Sequence, residues 1–346
     1  MTITNHMPVT ILTGFLGSGK TTLINHLLNH NHNHNEKIMI IENEFGPINI
    51  DGGLLKHDTN IDIIEMTNGC ICCSVQGELI TALHQLHQKR LAGEINFDRL
   101  IIETTGLADP APILQTFFID DVIRETIQLD AVITTVDCEH ISTHLKNHRV
   151  AASQIGFADR IILTKTDRVK TADKLSVIAR INAINNKAMI IEANHGQIAK
   201  TQWLDLHTFD LNDELTISKG FFTVDMSKQL VTKFTPFTSK LHSYQSYDDN
   251  IFSYLFEATE LDLKKIGSFI EKLIEQYGND MLRYKGVLAI KNQSQKLIIQ
   301  GVHKVVGFDY GSAWDNITPK ESKFVVISRK LPFEELKQQF LATIAD

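Results

Sequence analysis

No stretch of this chain approaches the ~18 consecutive apolar residues a helix needs to cross a bilayer, so a membrane-embedded protein is not expected. Nor is there an excess of basic residues, because 34 Lys and Arg stand against 41 Asp and Glu, for a formal net charge of -7. A chain of that sign has no surplus cations to displace the counterions of a phosphate backbone, and nucleic acid is excluded as an expected partner. The opening residues Met1 to His6 lack a basic segment followed by an apolar one, so a cytoplasmic location is expected. Cysteine is scarce too. Of four in 346 residues, three crowd into Cys70-Ile71-Cys72-Cys73, which in a reducing compartment is a poor disulfide framework and a better metal or redox cluster.

What the chain does have is a complete phosphate-binding loop, Gly14-Phe15-Leu16-Gly17-Ser18-Gly19-Lys20-Thr21, directly after the apolar run Val9 to Leu12. Gly14, Gly17 and Gly19 let backbone amides, with Ser18 among them, wrap phosphate oxygens that a Cβ would hold off. Lys20, read as a solvent-facing ammonium, is expected to reach the β and γ phosphates. Thr21 is expected to place its hydroxyl on Mg2+. Thr22 opens a helical stretch whose positive dipole end faces the loop.

The length suggests about two domains. Between residues 9 and 192, apolar runs at 9–12, 37–41, 61–65, 99–102, 129–136, 160–163 and 188–191 alternate with amphipathic stretches such as 78–90 and 172–184. The expected class is α/β, a P-loop NTPase domain with a mostly parallel sheet and helices on both faces, at residues 1–212. A polar connection at 205–213 leads to residues 213–346. There, strands at 252–256, 283–290, 296–302, 304–308 and 324–327, with helices at 262–277 and after Pro332, predict a smaller α+β C-terminal domain.

A phosphate loop needs an acid near Mg2+ and an amide that senses the γ phosphate. Leu100-Ile101-Ile102-Glu103-Thr104-Thr105-Gly106 ends a strand in Glu103 and supplies Gly106 three residues later, the spacing of a switch turn. Glu103 is the candidate for Mg2+ or water positioning. In Thr164-Lys165-Thr166-Asp167, the Asp167 carboxylate can accept from N1-H and N2-H2 of guanine, a donor pair adenine lacks, while the stem of Lys165 covers the base. Thr164 stands where an Asn is usual in such signatures, and the amide that normally ties base and loops together is lost.

The thiols of Cys70, Cys72 and Cys73 suit Zn2+, with a fourth position supplied from elsewhere or left open for transfer. The segment from His26 through His30 and His32 to His34 reads either as a solvated loop or as an auxiliary metal patch. Its helix points away from the phosphates. His84 and His87 read as surface histidines.

Taken together, GFLGSGKTT, ENEFG (Glu42 to Gly46), NGCICC (Asn68 to Cys73), ETTGLADP and TKTD resemble the CobW-type P-loop GTPase family, most closely its YjiA-like zinc-binding branch. The resemblance extends through Asp280-Met281-Leu282-Arg283-Tyr284-Lys285-Gly286 and Gln300-Gly301-Val302-His303. It implies a zinc-binding GTPase that hydrolyses GTP to GDP slowly and acts as a metallochaperone or insertase. It also implies GTP/GDP, Mg2+ and Zn2+ as ligands, and Glu42, Cys70, Cys72 and Cys73 as the zinc set. The expected partners are GTP, a divalent metal and an unidentified metalloprotein client, with a homo-oligomer left open. The alternative is a metal-buffering protein whose nucleotide site is mainly structural. Glu42 and Cys72 are read as following strands that flank the phosphate-loop strand, so that nucleotide state can reach them.

Overall fold

The computed structural model describes residues 6–30, 36–42, 61–65, 75–209, 251–314 and 319–345. A seven-stranded sheet is ordered β3-β2-β4-β1-β5-β6-β7 and is parallel throughout. Its strands are β1 (Met7–Gly14), β2 (Ile38–Glu42), β3 (Ile61–Glu65), β4 (Arg99–Glu103), β5 (Ile127–Asp137), β6 (Arg160–Thr164) and β7 (Met189–Ala193). Parallel sheets are covered on both faces, which is why these strands are apolar runs rather than alternating ones. Helix α1 (Lys20–His30) lays Leu23, Ile24 and Leu27 against Leu12, Ile40, Ile101 and Ile133 on one face. On the other face, α2 (Val75–Leu91) brings Leu79, Leu83 and Leu86 against Ile41, Leu100 and Ile102.

Four further helices line the sheet: α3 (Ala111–Ile119), α4 (Asp121–Thr126), α5 (Ile141–Asn147) and α6 (Arg149–Phe157); α7 (Thr171–Ile184) follows β6. His84 of α2 is more than a surface group. Its Nε2 lies 2.8 Å from Asp120 Oδ1, and the same carboxylate caps α4 by accepting from the Ile123 amide.

The second sheet is antiparallel, ordered β11-β10-β9-β12-β8, from β8 (Ile251–Ala258), β9 (Met281–Leu288), β10 (Gln295–Val302), β11 (Val305–Ala313) and β12 (Ser322–Arg329). Helix α8 (Leu263–Tyr277) starts where the Asp262 carboxylate accepts from the Lys264 and Lys265 amides. Its Ile266, Phe269, Ile270 and Leu273 form a core with Leu336 and Phe340 of α9 (Phe333–Leu341) and with Phe256, Tyr284 and Phe324 of the sheet.

Asp159, just before β6, accepts from the Val132 amide at 2.9 Å and ion-pairs with Arg283 (2.8 Å) and Lys285 (3.2 Å) of β9. Both cations lie over the Phe209 ring, and Lys285 also donates to the Thr208 carbonyl. The two sheets are thereby latched together. The supposed connection at 205–213 therefore begins as a docked segment, with the Asp205 and His207 amides donating to Asp130. The 212/213 boundary falls outside the described residues.

Candidate nucleotide and metal site

The phosphate loop, the turn from Glu103 to Gly106 and the turn from Thr164 to Asp167 leave the same edge of the parallel sheet, the C-terminal ends of β1, β4 and β6, around the centre where chain order reverses across β1. At Gly14, φ is 141°, and a Cβ would lie 2.4 Å from the Thr135 carbonyl oxygen, so glycine is required for the chain to leave the sheet. Gly17 (φ 71°) and Gly19 (φ 99°) complete the turn. Ser18 is buried, with its hydroxyl 2.7 Å from that of Thr135 on β5. From β6 the Thr164 hydroxyl donates to the Ser18 carbonyl at 2.8 Å. The phosphate loop is thus pinned from two strands. Thr164, far from lacking a tie, joins the turn that carries Lys165 and Asp167 directly to the phosphate loop.

Lys20 is not solvent-facing. It is 8% exposed, and its Nζ donates to the carbonyls of Gly14 (2.9 Å) and Phe15 (3.4 Å), drawn down over the loop it serves. Thr21 and Thr22 follow in the first turn of α1 and are exposed. Beside β1, the Thr104 hydroxyl donates to that of Thr13 at 2.8 Å. A Cβ on Gly106 would fall 2.6 Å from the Leu16 amide nitrogen, so the switch turn lies flat against the phosphate loop.

Glu103 closes β4, half-buried, in register with Leu12 of β1 on one side and Glu42 of β2 on the other. Glu42 is in turn in register with Glu65 of β3. The sequence reading places β2 and β3 beside the phosphate-loop strand; in the structure β4 intervenes, because the parallel crossover after β2 and β3 returns to fill the central position. The correction brings Glu42 one strand spacing, ~4.8 Å, from the backbone of Glu103. Cys70, Cys72, Cys73, His32, His34 and the side chains of His30 and Glu42 lie outside the described residues. His26 is half-buried on α1, and His87 is half-buried on α2.

After β6, Lys165 takes a left-handed backbone (φ 55°) and its Nζ donates to Asp137 Oδ2 at 2.7 Å. Asp167 follows in a single 3-10 turn with its side chain exposed. Asp137, at the end of β5, is 3% exposed. Burial works against its ionisation, yet the Lys165 ammonium, the His140 ring and the Glu139 amide together hold its carboxyl below the ordinary value. Two residues missed in the sequence join here: Asn194, whose Oδ1 accepts from the Thr166 hydroxyl at 3.0 Å, and Asp137 itself. The available signal was position. Each stands at the end of an apolar strand on the edge that carries the phosphate loop.

Residues 8–192 match the family described as "CobW/HypB/UreG, nucleotide-binding domain", and residues 253–344 match the "Cobalamin synthesis protein cobW C-terminal domain". The chain is 38% identical over 337 residues to "Zinc chaperone YjiA" of Escherichia coli (strain K12), spanning 97% of this chain and 98% of that one. It is 31% identical to "Zinc-regulated GTPase metalloprotein activator 1" of Schizosaccharomyces pombe, over 86% of this chain and 76% of that one. Among solved structures, the Zn(II)-bound YjiA GTPase from E. coli superposes with a TM-score of 0.73 at 33% identity, covering 98% of this chain and 99% of that one.

Proposed function

Because the chain belongs to the CobW/HypB/UreG family of nucleotide-binding proteins and carries the CobW C-terminal domain, we propose that it is a zinc-binding GTPase that couples GTP binding and slow hydrolysis to delivery of metal to a client protein. The observation that carries this reading is the register of Glu42 with Glu103. The strand that ends in Glu42, one of the proposed zinc ligands, is hydrogen-bonded to the strand that ends in Glu103, the proposed Mg2+ or water-positioning residue.

In this reading Lys20 exchanges its two carbonyl partners for the β and γ phosphates, and the turn at Gly106 meets the γ phosphate where it now abuts Leu16. Thr21 and Glu103 offer oxygen donors only, a set that fits Mg2+; they would hold the ion, which would supply positive charge to offset the charge developing on the phosphates. Asp167 reads guanine, with Lys165 braced by Asp137 along the base. Zinc is cargo, taken by Cys70, Cys72 and Cys73 with Glu42, soft thiolates that suit it better than Mg2+. Ordering of the segment after β2 by Mg2+ and the γ phosphate would shift Glu42 relative to the thiolates. By linkage, zinc then changes GTP affinity by the same factor.

Anaerobic zinc titrations with a competing chelator, run without nucleotide, with GDP and with a non-hydrolysable GTP analogue, test this. Zinc affinity is expected to differ between the GDP and GTP states by about five- to a hundredfold, the usual size of such coupling. Cys72→Ser should sharply lower zinc affinity and leave GDP binding nearly intact. Superimposable wild-type curves would make the two sites independent and remove the delivery mechanism.

A further inference from the structure

Helix α6 is buried at every residue from Ala151 to Phe157 and packs against strands of both sheets. Its main chain is held from several sides. The Thr134 hydroxyl of β5 donates to the Gln154 carbonyl at 2.9 Å, the Asn185 side-chain amide donates to the carbonyls of Ile155 and Ala158 at 2.9 Å each, and Arg283 of β9 donates to the Phe157 carbonyl at 2.9 Å. An element fixed in this way is a firm post for a turn that must be placed accurately.

From this post two side chains reach the turn after Glu103. Gln154 Nε2 donates to the carbonyls of Gly106 (3.2 Å) and Ala108 (3.1 Å), and the Ser153 hydroxyl donates to Asp109 Oδ1 at 3.3 Å. The same Asp109 oxygen accepts from the Ala111 amide at 3.0 Å, where α3 begins. Gln154 is 1% exposed, and its Oε1 makes no hydrogen bond among the described residues. The amide therefore spends its hydrogen bonding on the turn alone. A side chain that only filled this space would do so better without a polar atom, because burying one unpaired is unfavourable. Gly106 in turn abuts the Leu16 backbone of the phosphate loop.

We propose that Gln154 is a positioning residue for GTP hydrolysis: by holding the Gly106 and Ala108 carbonyls to α6, it sets the pose from which the turn meets the γ phosphate. The proposal rests on the GTPase reading above and adds to it a residue outside the nucleotide motifs. Gln154 acts through the turn, with no contact to the nucleotide. A turn tethered at those carbonyls can pivot toward the phosphates about a fixed far side, whereas an untethered one samples many poses, few of which bring the Gly106 amide to the γ phosphate. GDP lacks that phosphate, so its affinity is insensitive to the tether.

The test compares wild type, Gln154→Met and Gln154→Glu in the full chain. Methionine matches glutamine in length and donates nothing, so single-turnover GTP hydrolysis is expected to fall about tenfold or more while GDP affinity stays within about threefold of wild type. Glutamate separates hydrogen bonding from packing. Its carboxylate can only accept and would face two carbonyls, whereas its protonated form donates one hydrogen bond. Burial favours the protonated form, so hydrolysis by Gln154→Glu relative to wild type is expected to recover as the pH falls from about 9 to about 6. A side chain that merely fills the core would give no such profile. The proposal is overturned if Gln154→Met hydrolyses GTP within about threefold of the wild-type rate, if both variants lose GDP binding, or if the Gln154→Glu ratio is flat with pH. A wild type that binds GTP and never hydrolyses it would instead remove the GTPase reading, and this proposal with it.

Discussion

Replacing Asp159 by Asn keeps the shape of the latch between the two sheets and removes its only carboxylate, leaving Arg283 and Lys285 facing each other over Phe209. Breaking a buried ion pair by removing one partner costs about 3–5 kcal/mol. Asp159 and the Arg283 side chain are 8% and 5% exposed, so screening by water offers little relief. Lys285 can escape by losing its proton, because burial, with repulsion from Arg283, has already lowered its pKa from 10.5 to about 7. Arginine has no such escape. The expected loss is therefore ~3 kcal/mol at pH 7, at the lower end of that range.

The same geometry fixes a pH dependence. Between about 7 and 10.5 the unfolded chain holds a proton on Lys285 that the folded chain does not, so this group makes stability rise with pH across that window. The full displacement corresponds to at most ~5 kcal/mol. Burial raises the pKa values of Cys138 and Tyr284, and these groups act in the opposite sense at the alkaline end. The contrast that isolates Lys285 is therefore wild type against Lys285→Met, by urea unfolding between pH 6.5 and 8.5. The wild type should gain stability over that range relative to the methionine variant. A loss below ~1 kcal/mol for Asp159→Asn, or equal pH slopes for wild type and Lys285→Met, would refute the reasoning.

Asp167→Asn should lose GTP binding and gain affinity for xanthosine triphosphate, whose carbonyl can accept from the new amide; unchanged preference in competition titrations would mean that another residue reads the base. Gly106→Ala should press a methyl into the Leu16 backbone, an overpacking worth ~1–3 kcal/mol. Single-turnover GTP hydrolysis is expected to fall at least tenfold while GDP affinity changes by less than threefold, and a wild-type hydrolysis rate would show that the turn does not close on the phosphate loop.

Much of this was legible because strands buried on both faces and glycine-bearing turns leave plain traces in sequence, as at 9–12 followed by Gly14. Helix α3 was not, since Ala-Pro-Ile-Leu-Gln-Thr-Phe-Phe-Ile is apolar nearly all round and offers no face to detect. Thr164 was misread for a different reason. A missing amide is visible in a sequence, whereas a hydroxyl that reaches a carbonyl 146 residues away depends on tertiary placement. Arg283 and Lys285 were noted only within a stretch of resemblance. Their work depends on Asp159, which nothing near them in sequence announces.

The pinning of Ser18 by Thr135 and Thr164 sets where the protein can register the difference between a triphosphate and a diphosphate. A cradle clamped from β5 and β6 has little shape left to change. In the proposed mechanism it acts as the fixed jaw of a vice, and the β4 side, with Glu103, the turn at Gly106 and the neighbouring end of β2, would be the jaw that travels. Under the proposed coupling, motion on hydrolysis would be directed toward the side of the sheet where β2 ends in Glu42, and away from the turn at Asp167, so that guanine could remain held while metal affinity changes.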